Sequence, residues 1–502
     1  MEIASRRLST RAFGGGYKND DRTKTGPDQS ALNPYVYTSG RWLRLDDAHQ
    51  KSRHVDFDFP ALLQKAVDAS PGATGVLDYE EKLEGGYDRA FVLRLDNGAR
   101  VVARIPFRTL DHPLLRLTPR LRQLPIILAW SDDAMNVIGT EYIIMSHVTG
   151  DQLHTVWPKL DPRLHFSSVK ALVDYMCQLS KLSFPAYGSI YFEDGPLSSS
   201  EMIVIGDGFC IGPSCHPEYW PGTPGEPRSY TRRSPNRGPW RDLESYVHGL
   251  IDNGYSLLPD SEPPILNKWQ GSIEEHLYLL KEALARNIFI SDTGIITGII
   301  DWQFAAVEPT FAYADTNPDF LFPHENIEAI AAMELGPGAD EFSVQQRSTK
   351  VKNRFDILQK LFSVGLQASM RDLHEARALD PMLLRPFKYC GTSWRDSAVA
   401  LQEELGSVSR EWTALGLVGS CPYQLTAKEL EQHKDRFEDL EAAMELKMAV
   451  VQATGSDLDG WLSIERFDAA VQTCHELYVK RVEGENGNSR RLAESMWPFD
   501  VR

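Results

Sequence analysis

Apolar positions recur along this chain with two periods, and the change from one to the other separates a strand-rich first part from a helix-rich remainder. From about Asn33 a short extended piece leads to Pro60 through Val67, whose apolar residues have helical spacing. Alternating runs follow around Leu83, at Phe91 to Leu95 and at Val101 to Ile105, with Asp96-Asn97-Gly98 as a hairpin turn. Glu141 to Val148 predicts a further strand, and Gly150 begins the crossing to helices. Ser168 to Ser180 predicts a helix that buries Val169, Leu172, Val173, Met176 and Leu179. The Pro-, Gly- and aromatic-rich stretch from Gly206 to Gly238 predicts an insertion or long loop. Helical spacing returns from about Glu325 and runs through Arg354 to Met370, Ser393 to Leu415 and Lys428 to Ala453. The pattern alone predicts an α+β chain in two lobes. Its divisions are residues 31–148 for a β-rich N-terminal lobe, 149–322 for a C-lobe core and 323–490 for a helical C-terminal extension.

A length of 502 residues suits two lobes with a sizeable core, and 42% hydrophobic with 25% charged residues is a globular composition. The formal charge of −17 argues against a non-specific nucleic-acid partner, which needs a basic face for phosphates. No apolar run approaches the roughly 18 residues that a membrane span requires. The six cysteines are too sparse for a disulfide scaffold and contain no C-x-x-C pair, so they are expected to be reduced thiols. Cys210 and Cys215 beside His216 are either a metal cluster or part of a Pro-rich loop near Trp220. Residues 1–30 read as a transit segment and flexible linker, because Arg6, Arg7 and Arg11 stand among hydroxyls with one acid. A disordered terminus is the alternative. The expected localisation is therefore mitochondrial, with the cytoplasm as the alternative.

One stretch carries most of the candidate chemistry. Asn287-Ile-Phe-Ile290 and Ile295 to Trp302 are β-rich runs joined by Ser291-Asp292-Thr293-Gly294, the signature of a β-hairpin. Asn287 enters the first strand and Asp301 leaves the second. An amide oxygen and a carboxylate brought together by a hairpin are hard ligands suited to Mg²⁺, which completes its shell with water and phosphate oxygens. A hairpin whose polar ends merely cap it is the other reading. Asp457-Leu458-Asp459-Gly460 is not a calcium loop, since with Gly460 sixth the first and twelfth positions would be Gly455 and Arg466. Trp461 and Phe467 read instead as core anchors.

The residues around the hairpin, Ala285 to Ile290 and Gly298 to Pro309, resemble the aminoglycoside phosphotransferase and choline-kinase-like family, and within it the fungal altered-inheritance-of-mitochondria protein 9 branch. Further matches lie in order along most of the chain, at Tyr37 to Leu43, Glu84 to Phe91, Ala103 to Pro106, Glu141 to Met145, Phe184 to Ser189, Arg237 to Trp240 and Arg385 to Phe387. The resemblance implies a bilobal protein-kinase-like fold, with a small antiparallel N-lobe and a large helical C-lobe holding the catalytic hairpin. It implies an ATP- and Mg²⁺-dependent phosphotransferase acting on a small hydroxyl or amine metabolite. Asn287 and Asp301 would hold the metal. Gly85, Gly86 and Arg89 would lie near the phosphates, as glycines let backbone amides approach them. Arg104 would replace the kinase lysine on the phosphates, and a guanidinium binds them bidentately. Glu141 and Ile143 complete the cofactor-binding candidates.

Two segments depart from that family pattern. No glutamate lies between Arg104 and Asp132 to pair with the cation, and Phe107 to Pro125 is short for the family's helix. The His-x-Asp element expected before Ala285 is replaced by Leu280-Lys281-Glu282-Ala283-Leu284. Glu282 has the spacing of the catalytic aspartate, but one extra methylene shifts a carboxylate by about an ångström, worth on the order of 10²-fold in rate. Glu282 is thus either a displaced base or a surface carboxylate. The chain is expected to be a weakly active or inactive phosphotransferase, or else a non-catalytic mitochondrial pseudokinase acting as a scaffold.

Overall fold

The computed structural model describes residues 33–107, 126–147, 162–195, 197–219, 234–261, 269–272, 274–276, 279–280, 306–313, 321, 327–336, 338 and 340–501. Within them the chain is α+β, with antiparallel sheets and many helices. The strands of the first part are β1 (Gly40–Trp42), β2 (Val76–Glu84), β3 (Asp88–Leu95), β4 (Arg100–Pro106), β5 (Ile127–Ser131) and β6 (Tyr142–Ser146). The last five form one antiparallel sheet in the order β2-β3-β4-β6-β5. The turn between β3 and β4 is the Asp96-Asn97-Gly98 hairpin read from the sequence, and Gly98 takes φ +81° there.

Alternation gives the sheet its core face. Phe91, Leu93 and Leu95 of β3, Val101, Ala103 and Ile105 of β4, and Tyr142 and Ile144 of β6 are buried together. The helix Phe59–Asp68 covers them with Leu62, Ala66 and Val67. Asp58 caps it by accepting from the Ala61 amide at 2.9 Å, which fixes its start just before Pro60.

The helix Pro162–Leu179 follows and buries Val169 and Val173 against the long helix Glu341–Ser369 and the helix Ile327–Leu335. The long helix begins well before Arg354, because Asp340 accepts from the Ser343 amide at 2.8 Å and caps it there. A second sheet joins β7 (Gly188–Phe192), β8 (Ile203–Gly206), β9 (Phe209–Gly212) and β10 (Ala306–Val307) in the order β10-β7-β9-β8. Its hairpin corrects the expectation of a loop beginning at Gly206. Phe209-Cys210-Ile211-Gly212 is a paired strand, too short to show a period on its own.

The helices Leu243–Ser256, Ala398–Arg410 and Ala427–Thr454 share a core that includes Trp240, Tyr246, Leu401, Tyr423 and Leu440. The last of them starts at a capping box between Thr426 and Glu429, one residue from its predicted start. Beyond it, β11 (Trp461–Ser463) runs antiparallel to β1, pairing Trp42 with Trp461 and Gly40 with Ser463. The C-terminal helices are therefore tied to the first part of the chain. Among the described residues, no helix is long and apolar enough to cross a membrane.

Candidate functional site

The sheet sorts the cofactor candidates by face. Successive side chains of a strand point to opposite sides, so the register decides which residues meet. Arg104 stands opposite Ala90 on β3 and opposite Ile143 on β6. Val102 stands opposite Val92 and Met145, and Leu83 of β2 opposite Ala90. Leu83, Asp88, Ala90, Val92, Val102, Arg104, Ile143 and Met145 thus share the side of the sheet away from the Phe91 core. That side is apolar in its middle and charged at both ends, with Asp88 and Arg104 next to the Gly85-Gly86 turn and Arg94, paired with Asp78, at the other end.

Arg104 has a partner that the sequence reading missed. Its Nε donates to Asp88 Oδ2 at 2.8 Å, and its Nη2 bonds the same oxygen. Asp88 is two residues before Ala90, the diagonal neighbour of Arg104 on the same face. The signal was present in the alternation of β3. The family's pattern places the carboxylate downstream of the cation instead. The pair is half-buried, with the Arg104 side chain 23% and the Asp88 side chain 15% exposed.

The turn itself is short. Gly85 N donates to Asp88 O at 2.9 Å and closes it, and among the described residues a Cβ on Gly86 would meet no neighbour within 4 Å. The Gly86 backbone is therefore open to an approaching group, and Glu141 sits immediately before β6.

Arg89 lies on the other face. Its side chain is fully buried, with Nε donating to Glu84 Oε1 at 2.8 Å, Nη1 to Pro34 O at 2.7 Å and Nη2 to Arg53 O at 3.1 Å. Glu84 Oε2 accepts in addition from the amides of Thr38 at 2.7 Å and Ser39 at 3.0 Å. Lys82 Nζ approaches Glu84 Oε1 at 3.3 Å, and burial lowers its pKa while Glu84 opposes that shift. Burial likewise lowers the Arg89 pKa, again against Glu84. One carboxylate here gathers two cations and the Thr38 and Ser39 backbone in a desolvated cluster. Arg89 and Arg104 are not brought together.

Glu282, Asn287 and Asp301 lie outside the described residues, as do residues 1–32 with the Arg-rich start. Among the described residues no group of three His, Cys, Asp or Glu side chains has a metal-holding arrangement. Cys215 packs its Sγ 2.8 Å from the Tyr191 hydroxyl, and its amide donates to Ser189 Oγ at 3.0 Å. Cys210 lies on β9 and Cys215 just beyond it, both are buried, and burial raises the pKa of each thiol. None of the six cysteines forms a disulfide.

No family model matches the chain. By sequence it is similar to a subtelomeric hrmA-associated cluster protein of Aspergillus fumigatus, 22% identical over 84% of this chain and 96% of that protein. It is similar to altered inheritance of mitochondria protein 9 of Yarrowia lipolytica, 21% identical over 82% of each chain. The protein of that name from Clavispora lusitaniae is 23% identical over 43% of this chain and 45% of its own. These matches support the altered-inheritance-of-mitochondria protein 9 branch of the resemblance. Both of the latter relatives are named as mitochondrial, in support of the mitochondrial localisation expected from the Arg-rich start.

Proposed function

We propose that this chain is a kinase-fold protein of the phosphotransferase type that binds ATP with Mg²⁺ on the Arg104 face of the β2–β6 sheet. The observation that carries the reading is the joint placement of three features. A Gly-Gly turn joins the first two strands, a half-buried guanidinium stands on the third beside that turn, and the middle of the shared face, at Val92, Val102 and Met145, is apolar. An apolar wall with few convergent polar groups is the usual form of a small-ligand site. Arg104 would exchange Asp88 for phosphate oxygens, and Asn287 and Asp301 would hold Mg²⁺. The acceptor would be a small hydroxyl or amine metabolite.

The replacement of the His-x-Asp element by Leu280 to Leu284 favours a second reading, a non-catalytic mitochondrial pseudokinase that uses the same fold as a scaffold. Both readings allow nucleotide binding in principle, but only the first requires it to depend on Mg²⁺.

Thermal unfolding of the full chain tests the first reading. Mg²⁺ and ATP together should raise the midpoint more than either alone, since a ligand at 100 times its Kd stabilises the folded state by about 2.7 kcal/mol. Asp301→Ala should abolish the combined shift. A shift of the same size in the variant would remove the hairpin from the metal site.

A further inference from the structure

We infer that Glu84 is a positioning residue for the Gly85-Gly86 turn, and that β11 with the C-terminal residues 497–501 acts on the turn through it. The inference rests on the nucleotide-site reading for its functional meaning, though not for its first test.

The contacts run without a gap. Glu84 is the last residue of β2 and precedes the turn directly. Its Oε2 accepts from both the amide and the hydroxyl of Ser39, each at 3.0 Å, as well as from Thr38. The next residue, Gly40, opens β1 and pairs with β11. A Cβ on Gly40 would stand 2.3 Å from the Leu462 carbonyl oxygen and 2.5 Å from Trp461 Nε1, so the two strands approach as only glycine allows. Trp461 Nε1 also donates to the Tyr37 hydroxyl at 3.1 Å. Burial pushes the Tyr37 pKa up to about 12, so it stays a neutral partner.

The other side of β1 is held by the chain's end. Leu43 N donates to Gly460 O at 2.9 Å, and Asp500 N to Leu43 O at 3.1 Å. Leu45 adopts a left-handed backbone, φ 52° and ψ 35°, which is uncommon for a branched apolar residue. Its amide donates to Asp500 Oδ2 at 2.7 Å, a bond that helps to hold this conformation. Trp497 and Phe499 pack with Leu43, Leu462 and Phe467, and the Arg41 guanidinium lies 4.1 Å over the Phe467 ring. Residues 37–45 are thus clamped between the C-terminal segment and Glu84. A strand position set by β11 fixes the Thr38 and Ser39 donors, and those donors fix the carboxylate from which the turn departs.

Amide hydrogen exchange on the full chain without nucleotide tests the coupling, because turn opening is read there directly. Gly40→Ala should part β1 from β11 and speed exchange at Gly85 to Asp88 by about fivefold or more, while β7 and β9 keep their rates. Accelerated β1 amides with an unchanged turn would overturn the inference. Should Gly40→Ala fail to fold, Asp500→Ala removes only the carboxylate at Leu45 and is read by the same two outcomes. In the folded variant the Kd for Mg·ATP should rise by a similar factor through linkage, and an unchanged Kd beside a faster turn would reduce Glu84 to a structural tether. Wild-type protein that binds no Mg·ATP would sink the proposed function, while the exchange result would still decide the coupling.

Discussion

Replacing Arg89 by leucine is expected to destabilise the protein by about 3–5 kcal/mol, the cost of breaking a buried ion pair by removing one of its members. Glu84 would keep Lys82, Thr38 and Ser39, but the carbonyls of Pro34 and Arg53 would lose the donors that reach them from Arg89. Against a total stability of about 5–15 kcal/mol the loss is large, and urea unfolding of the folded variant would show it as a lower midpoint. The alternative role, in which Arg89 contacts phosphate, makes the opposite forecast: a normal midpoint and weakened nucleotide binding. A normal midpoint in Arg89→Leu would contradict the account given for the Glu84 cluster.

Phe91→Ala is expected to cost a similar amount, about 3–5 kcal/mol, by emptying the centre of the first core. The Phe91 ring is fully buried, with Phe59 at 5.0 Å, Phe57 at 6.2 Å and Tyr79 at 6.4 Å between centroids. These rings come from the helix Phe59–Asp68, the segment before it and β2 as well as from β3, so no single element can move to refill the space. Because the proposed nucleotide face is the other side of this sheet, that proposal requires the variant to lose Mg·ATP stabilisation as its fold is lost. A midpoint within about 0.5 kcal/mol of wild type, the range of an ordinary surface change, would mean that these rings are not one core.

Much of the sheet was legible, because β3 and β4 are long enough to show alternation and are joined by a turn whose residues announce it. The strand pair β1–β11 was not. Each strand has three residues, too few for a period, and the contact between Tyr37 and Trp461 spans 424 positions that no local pattern connects. The site was legible in its residue types and less so in its geometry. Asp88 and Arg89 are adjacent in sequence, but a strand's two-residue period sends one to the Arg104 face and the other into the Glu84 cluster. Reading the glycines and the following arginine as one motif therefore joined two different environments. For Arg104, the family pattern directed attention to a downstream glutamate, and antiparallel pairing supplied an upstream aspartate.

Calorimetric titration of Mg·ATP into the full chain and into Arg104→Ala bears most directly on the proposed nucleotide face. Charged hydrogen bonds contribute roughly 1.5–3 kcal/mol each, so loss of the guanidinium should weaken binding by about tenfold or more. Asp88, half-buried at the first position of β3, would stay close to water, and the apo unfolding midpoint should change little. Equal affinity in the two proteins, or no binding to either, would contradict the assignment of this face to the nucleotide.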